Sequence, residues 1–398
     1  MQWSTRLLYV APSDLIWFLL PVAAAAGWYA AKRNDSRRPE AYWNYASNFH
    51  QGLNVLLGEQ QENSIELFDD LSDTSRETAD THIALGNLFR RRGDIDRAIL
   101  LHESVINKET LADEVRATAR FELAKDYDSA GLLDRSETVF RQLIESGHRI
   151  EDAYRCLLDL HEREHDWQQA IVVANECESV TLMSLGSQVA HYYCELAVIA
   201  GNEARADDAG ELLIMALKHH PECARALMMQ AALALESSQH DRALQLFEHV
   251  ENLRPELMPE IIQQRFMAFK AIQDKDRLMQ FIKRISAQRN AYSVIRSTRE
   301  VIAELQSVEL AERFFKDQIL KRPSLKGLRD WARDQLALSK PGEREKVKVI
   351  CNLLDQVVED KPAYRCISCG FQGNVMHWRC PGCGTWDSVS TIIGVEGE

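Results

Sequence analysis

Residues 79–106 read ADTHIALGNLFRRRGDIDRAILLHESVI, and the fold follows from how this stretch is spaced. Counting from Ala79, Leu85 and Gly86 take the seventh and eighth places, Phe89 the eleventh, Gly93 the fifteenth and Ala98 the twentieth. Small residues at the eighth and twentieth places let two antiparallel helices approach closely, and the aromatic fills the space beside them. The same frame returns from Ala117 (Leu123, Ala124, Tyr127, Gly131, Ser136), from Ala190 (Leu196, Ala197, Ala209, Pro221) and from Ala224 (Ala231, Ala243, Phe247, Pro255). Weaker copies begin at Ala46, Glu151, Pro259 and Tyr292, so successive starts lie 33 to 39 residues apart.

That period and those small places are the tetratricopeptide pattern, in which each helical pair buries its apolar face only against its neighbours. The expected fold is therefore all-α: a tetratricopeptide-repeat superhelix, with an N-terminal transmembrane helix and a small C-terminal rubredoxin-like zinc ribbon. The predicted divisions are an extension over 1–14, an anchor over 15–31, a basic juxtamembrane linker over 32–45, the repeat array over 46–324, capping helices over 325–359 and a four-cysteine metal module over 360–398. No proline falls between Pro39 and Pro221, as long uninterrupted helices require.

Residues 15–31 (LIWFLLPVAAAAGWYAA) carry no charge and would reach roughly 25 Å as a helix, enough for a short membrane span. Lys32, Arg33, Arg37 and Arg38 follow it and only Arg6 precedes it, which predicts a single pass with the large body on the cytoplasmic side. A cleavable signal would carry its basic residues before the apolar run. The 398-residue chain holds 47 Lys and Arg against 60 Asp and Glu, a net charge of −13. Such acidity speaks against nucleic acid as a partner.

Of nine cysteines, Cys156, Cys177, Cys194, Cys223 and Cys351 are scattered among Leu and Ala and read as inert buried thiols. The other four form CISCG at 366–370 and CPGCG at 380–384. Two C-x2-C turns can bring Cys366, Cys369, Cys380 and Cys383 to one point, a tetrahedral four-thiolate site for one zinc per chain, with iron as the alternative. The glycine after each pair supplies the positive φ such turns need. Four protein ligands leave no open position, which makes the metal structural. Phe371, Trp378 and Trp386 are the expected core of this module. Unpaired thiols beside a thiolate site also indicate a reducing compartment.

Residues 161–165, HEREH, fit the H-E-x-x-H signature of zinc peptidases. In the repeat frame, however, His161 takes the eleventh, packing place and His165 the fifteenth, turn place, so the two cannot share an open catalytic metal. No catalytic residue is expected. The second, fifth, ninth and twelfth places of each first helix line the face of the array that would receive a partner, and they nominate Asn87, Arg90, Lys125, Arg155, Asp159 and His191. His191 would titrate near neutrality if set between charged neighbours.

The order of LLPVAAAAGWYAAKR, the units LGNLFRRRGDIDRAI and HYYCELA, and the terminal YRCISCGF and HWRCPGCGTW resembles the lipopolysaccharide assembly protein B family from about Leu15 to Gly394. The resemblance implies a non-enzymatic inner-membrane adaptor that restrains lipopolysaccharide synthesis. Its implied partners are a membrane AAA protease and the lipid A pathway deacetylase whose degradation it promotes, with other lipopolysaccharide assembly proteins or lipopolysaccharide itself as further candidates. It also implies that Cys366, Cys369, Cys380 and Cys383 are the metal ligands.

Overall fold

The computed structural model describes residues 76–395 apart from 289 and 360. The expected extension, anchor, basic linker and first repeat copy lie outside the described residues. Among those described, no helix is long and apolar enough to cross a membrane. The described residues divide into two compact units, with the boundary between Ala119 and Arg120.

In the first unit, α1 (Arg76–Arg92) and α2 (Ile95–Ile106) form an antiparallel hairpin. Leu85, Phe89, Ala98 and Leu101 make its core. Gly86 is small because His102 needs the room: a Cβ there would sit 2.5 Å from the imidazole Nε2, which itself lies 3.2 Å from the Ile83 carbonyl oxygen. The Ala98 place is fully buried. A third helix, α3 (Asp113–Ser129), runs out of this unit into the next.

The second unit continues with α4 (Leu133–Glu145) and then the pairs α5 (Ile150–Glu164) and α6 (Trp167–Val180), α7 (Gly186–Asn202) and α8 (Ala206–His219), α9 (Ala224–Glu236) and α10 (His240–Leu253). A 3-10 turn at Pro255–Leu257 leads to α11 (Met258–Ile272) and α12 (Lys275–Ala287), α13 (Tyr292–Leu305) and α14 (Val308–Lys321), and α15 (Leu325–Leu338) and α16 (Pro341–Glu359). The first helices α7, α9, α11 and α13 pack side by side. The Ser136 hydroxyl, at a twentieth place, donates to the Ala124 carbonyl at an eighth place (2.9 Å). Helices come that close only where both residues are small. The main core runs from Ala224 to Ala311 and joins α9 through α14 around Phe247, Ile261, Phe266 and Phe281. The chain ends in a small antiparallel sheet of order β2-β1-β3, with β1 Tyr364–Cys366, β2 Gln372–Gly373 and β3 Val389–Thr391.

The fifteenth place of the frame adopts positive φ in six copies: Gly93, Gly131, His165, Ala204, Ser238 and Gln273. Each stands where the first helix of a pair ends, and a left-handed residue there closes the helix and turns the chain. Only two of the six are glycine. The other four tolerate a conformation that is costly for a residue with a Cβ. Replacing Ala204 (φ 59°) by glycine is therefore expected to raise stability by about 0.5–1 kcal/mol, read as a higher thermal midpoint, whereas Ala204→Val lowers it.

Candidate metal centre and its seat on the helices

The four clustered cysteines come from two similar turns. In the first, the Cys366 N–H donates to the Phe371 carbonyl (2.8 Å) and the Gly370 N–H to the Cys366 carbonyl (3.0 Å); in the second, Cys380 donates to Thr385 (3.0 Å) and Gly384 to Cys380 (2.9 Å). Gly370 and Gly384 hold φ of 78° and 70°, which lets each turn fold back on its sulfurs. All four Sγ atoms lie within 4.8 Å of one another, with 3.8 Å between Cys366 and Cys383 and 3.6 Å between Cys369 and Cys380. A tetrahedron with metal–sulfur bonds of about 2.3 Å has edges near 3.8 Å, so the set suits one ion. Cys366 and Cys380 are buried, and Cys369 and Cys383 face outward. The Ser388 hydroxyl beside Cys366 draws that thiol down to about 5 and Thr385 lowers Cys383, whereas Cys369, crowded by the other thiols, is pushed up to about 12.

Phe371 packs with Cys366, Cys380 and Val389. The two tryptophans expected beside it do not complete that core. Trp386 instead lies against α5, α6 and α7: its indole Nε1 donates to Glu162 (2.8 Å), its ring stacks on His191 at 5.0 Å and 16°, and Trp167 meets it edge-on at 6.1 Å. Trp378 carries the Arg225 guanidinium at 5.8 Å. The reason is chemical: a buried indole N–H needs an acceptor, and one stands on α5. Glu162 also accepts from the Tyr192 hydroxyl (2.5 Å) and pairs with Arg379 (2.8 Å), so three donors converge on one buried carboxylate. Further along, Arg254 pairs with Asp387 (2.7 Å), Tyr364 donates to Glu260 (2.5 Å), and the Thr391 hydroxyl donates to the Glu256 carbonyl (3.1 Å).

The cysteine module thus sits on the face made by the first helices α5, α7, α9 and α11. Of the residues nominated to receive a partner, Asp159 and His191 meet this module. Asp159 pairs with Arg379 at 3.4 Å and with Arg163 at 3.1 Å. His191 does not titrate near neutrality: burial, then the nearby Arg225, pushes its pKa down to about 3. Lys125 pairs with Glu122 (3.2 Å) over the Phe121 ring, and Arg155 stays exposed on α5. In the other unit Arg90 donates to Asn87 (2.7 Å).

Glu162, Arg225 and Glu260 were not nominated, although the frame held them: Glu162 is a twelfth place, and Arg225 and Glu260 are second places. Within HEREH, Glu162 is engaged as just described. His161 is buried between helices, 4.0 Å from Glu137, while His165 is the left-handed cap of α5 and meets Trp167 edge-on. Among the described residues the four cysteines are the grouping able to hold a metal. The scattered thiols are free; four are buried, and burial pushes the half-buried Cys156 up to about 11.

Two measurements test this seat. Glu162→Ala strands three donors and is expected to cost about 3–5 kcal/mol, with Trp386 fluorescence shifting red at lower denaturant than in the parent protein. For His191 the folded pKa near 3 lies below the unfolded value of 6.5, so folding disfavours its proton. Its contribution is complete above pH 6.5 and is lost as pH falls from there toward 3. His191→Phe should flatten that part of the stability-versus-pH curve, and an unchanged curve would count against the assignment.

Residues 364–390 match the family described as a rubredoxin metal binding domain. Over 386 residues the chain is 28% identical to "Lipopolysaccharide assembly protein B" of Escherichia coli K12, covering 96% of this chain and 99% of that protein. The protein of the same name from Haemophilus influenzae is 26% identical over 393 residues, again covering 96% and 99%. Among solved structures, MamA protein overlaps 46% of this chain and 95% of its own at 19% identity and a TM-score of 0.31. A Podosopora anserina kinesin light chain with nearly identical TPR-like repeats overlaps 46% and 97% at 19% identity and 0.29. Across both its helical array and its cysteine module, the chain is similar to proteins named lipopolysaccharide assembly protein B.

Proposed function

We propose that the chain is a non-enzymatic adaptor in lipopolysaccharide assembly, fastened to the bacterial inner membrane by residues 15–31, with its helices and cysteine module in the cytoplasm. It restrains synthesis by bringing the lipid A pathway deacetylase to a membrane AAA protease. The observation that carries this reading is the seating of the cysteine module on the first-helix face through Glu162, which makes the module and the array a single recognition body. A reaction centre would need an open coordination position or a nucleophile beside a base. The four-cysteine set, once loaded, has no open position.

Zinc is the proposed ion, held by Cys366, Cys369, Cys380 and Cys383, and it supplies a cross-link in a module too small to hold itself by apolar burial. Tethering then does the rest. Confining the adaptor to the protease's own membrane raises the local concentration of each for the other, so that weak contacts suffice.

Deleting residues 1–33 is expected to leave a folded protein with one zinc per chain and to slow deacetylase turnover in cells several-fold. Cys369→Ser with Cys383→Ser is expected to lose the zinc and to slow turnover as well. Both are read by metal analysis and by the half-life of the deacetylase after translation is blocked. Normal turnover with the soluble form would refute the adaptor reading.

A further inference from the structure

A cavity of about 270 Å³ opens between α10, α11 and α12, where the second helices of two successive pairs flank the first helix of the later pair. Its apolar lining is Leu244, Phe269 and Phe281, and three guanidinium groups reach it, from Arg265, Arg277 and Arg284. We propose that this cavity binds a carboxylate carried on an apolar stem, the acidic side chain of a protein segment that docks on this flank.

Arg265 is only 2% exposed, and its guanidinium lies 4.2 Å above the Phe281 ring. It donates from Nη1 to Glu251 (2.5 Å), while its buried Nε has no hydrogen-bond partner. A buried donor left unsatisfied is costly, so an arriving acceptor gains by meeting it. Glu251 is shared: Arg284 also donates to it (2.7 Å). Two guanidinium groups thus share one buried carboxylate, and Arg265 keeps a donor that this carboxylate does not meet.

The remaining pairs are exposed and exchangeable. Arg277 holds Asp241 at 2.8 Å and Arg284 holds Glu248 at 3.4 Å, both in contact with solvent. Such exposed pairs contribute little to stability, and an incoming carboxylate can replace them. The same acids select the ligand's charge, because Glu248 at the rim and Glu251 beneath repel a dianionic phosphate more than a single carboxylate. Planar guanidinium forks match a carboxylate in two-point fashion, and the Phe269 and Phe281 rings receive the methylenes behind it. The amides of Gln245 and Gln280 add neutral donors at the wall. The proposal goes beyond the adaptor reading and stands without it, since it needs only the folded array.

The test uses the full chain in detergent micelles and a labelled acetyl-Leu-Glu-Leu-Glu-Leu-amide peptide, followed by fluorescence anisotropy, with the Gln-for-Glu peptide as its control. The expected result is at least about tenfold weaker binding of the Gln peptide, and a comparable loss with Arg277→Ala on the protein while thermal midpoint and metal content stay unchanged. Acetate should compete more effectively than inorganic phosphate. Equal binding of the two peptides, binding unchanged by Arg277→Glu, or phosphate competing better than acetate would each overturn the assignment.

Discussion

A single buried carboxylate joins the two parts of the molecule that the chain makes separately. Glu162 projects from α5 into a site where the Tyr192 hydroxyl, the Trp386 indole and the Arg379 guanidinium all need an acceptor. A carboxylate out of water is tolerable only when donors surround it, and the donors are tolerable there only because it is charged. The array supplies the acceptor and one donor; the cysteine module supplies the other two. Each part therefore leaves polar groups that only the other can satisfy, which gives the contact its register as well as its strength.

The His191 ring extends the same logic to aromatic contact. It lies flat on Trp386 and stays neutral because the space around it is dry and the nearest charges, Arg225 above all, are positive. Arg225 in turn faces Trp378 and pairs with Glu195 at 2.8 Å. Two tryptophans that a module of this size cannot bury internally are thus covered by the helices, and the helices in return receive a lid over polar first-helix residues.

The helical pairs were legible because their determinants are local: a small residue at one place needs a small residue a dozen positions later, as Ala124 and Ser136 show. The cysteine turns were legible for the same reason, since each is closed within five residues. The seat was not, because Glu162 meets Trp386 across 224 residues and Arg254 meets Asp387 across 133, and no periodicity encodes such a meeting. The frame marked the face on which the module sits, and Asp159 and His191 lie in that contact. It could not say that the chain's own terminus would occupy part of it. His191 shows the limit most plainly, since neutrality or charge depends on what covers the ring.

In the six pairs from α1 to α12 the left-handed turn stays at the fifteenth place whatever residue occupies it, while the two longest intervals, 38 and 39 residues, take their extra length after α2 and after α6. Length variation is therefore channelled to one edge of the stack, the edge where second helices hand over to first helices. An engineer wishing to graft a new loop without disturbing the hairpins would choose residues 107–112 or 181–185, where the chain already carries slack.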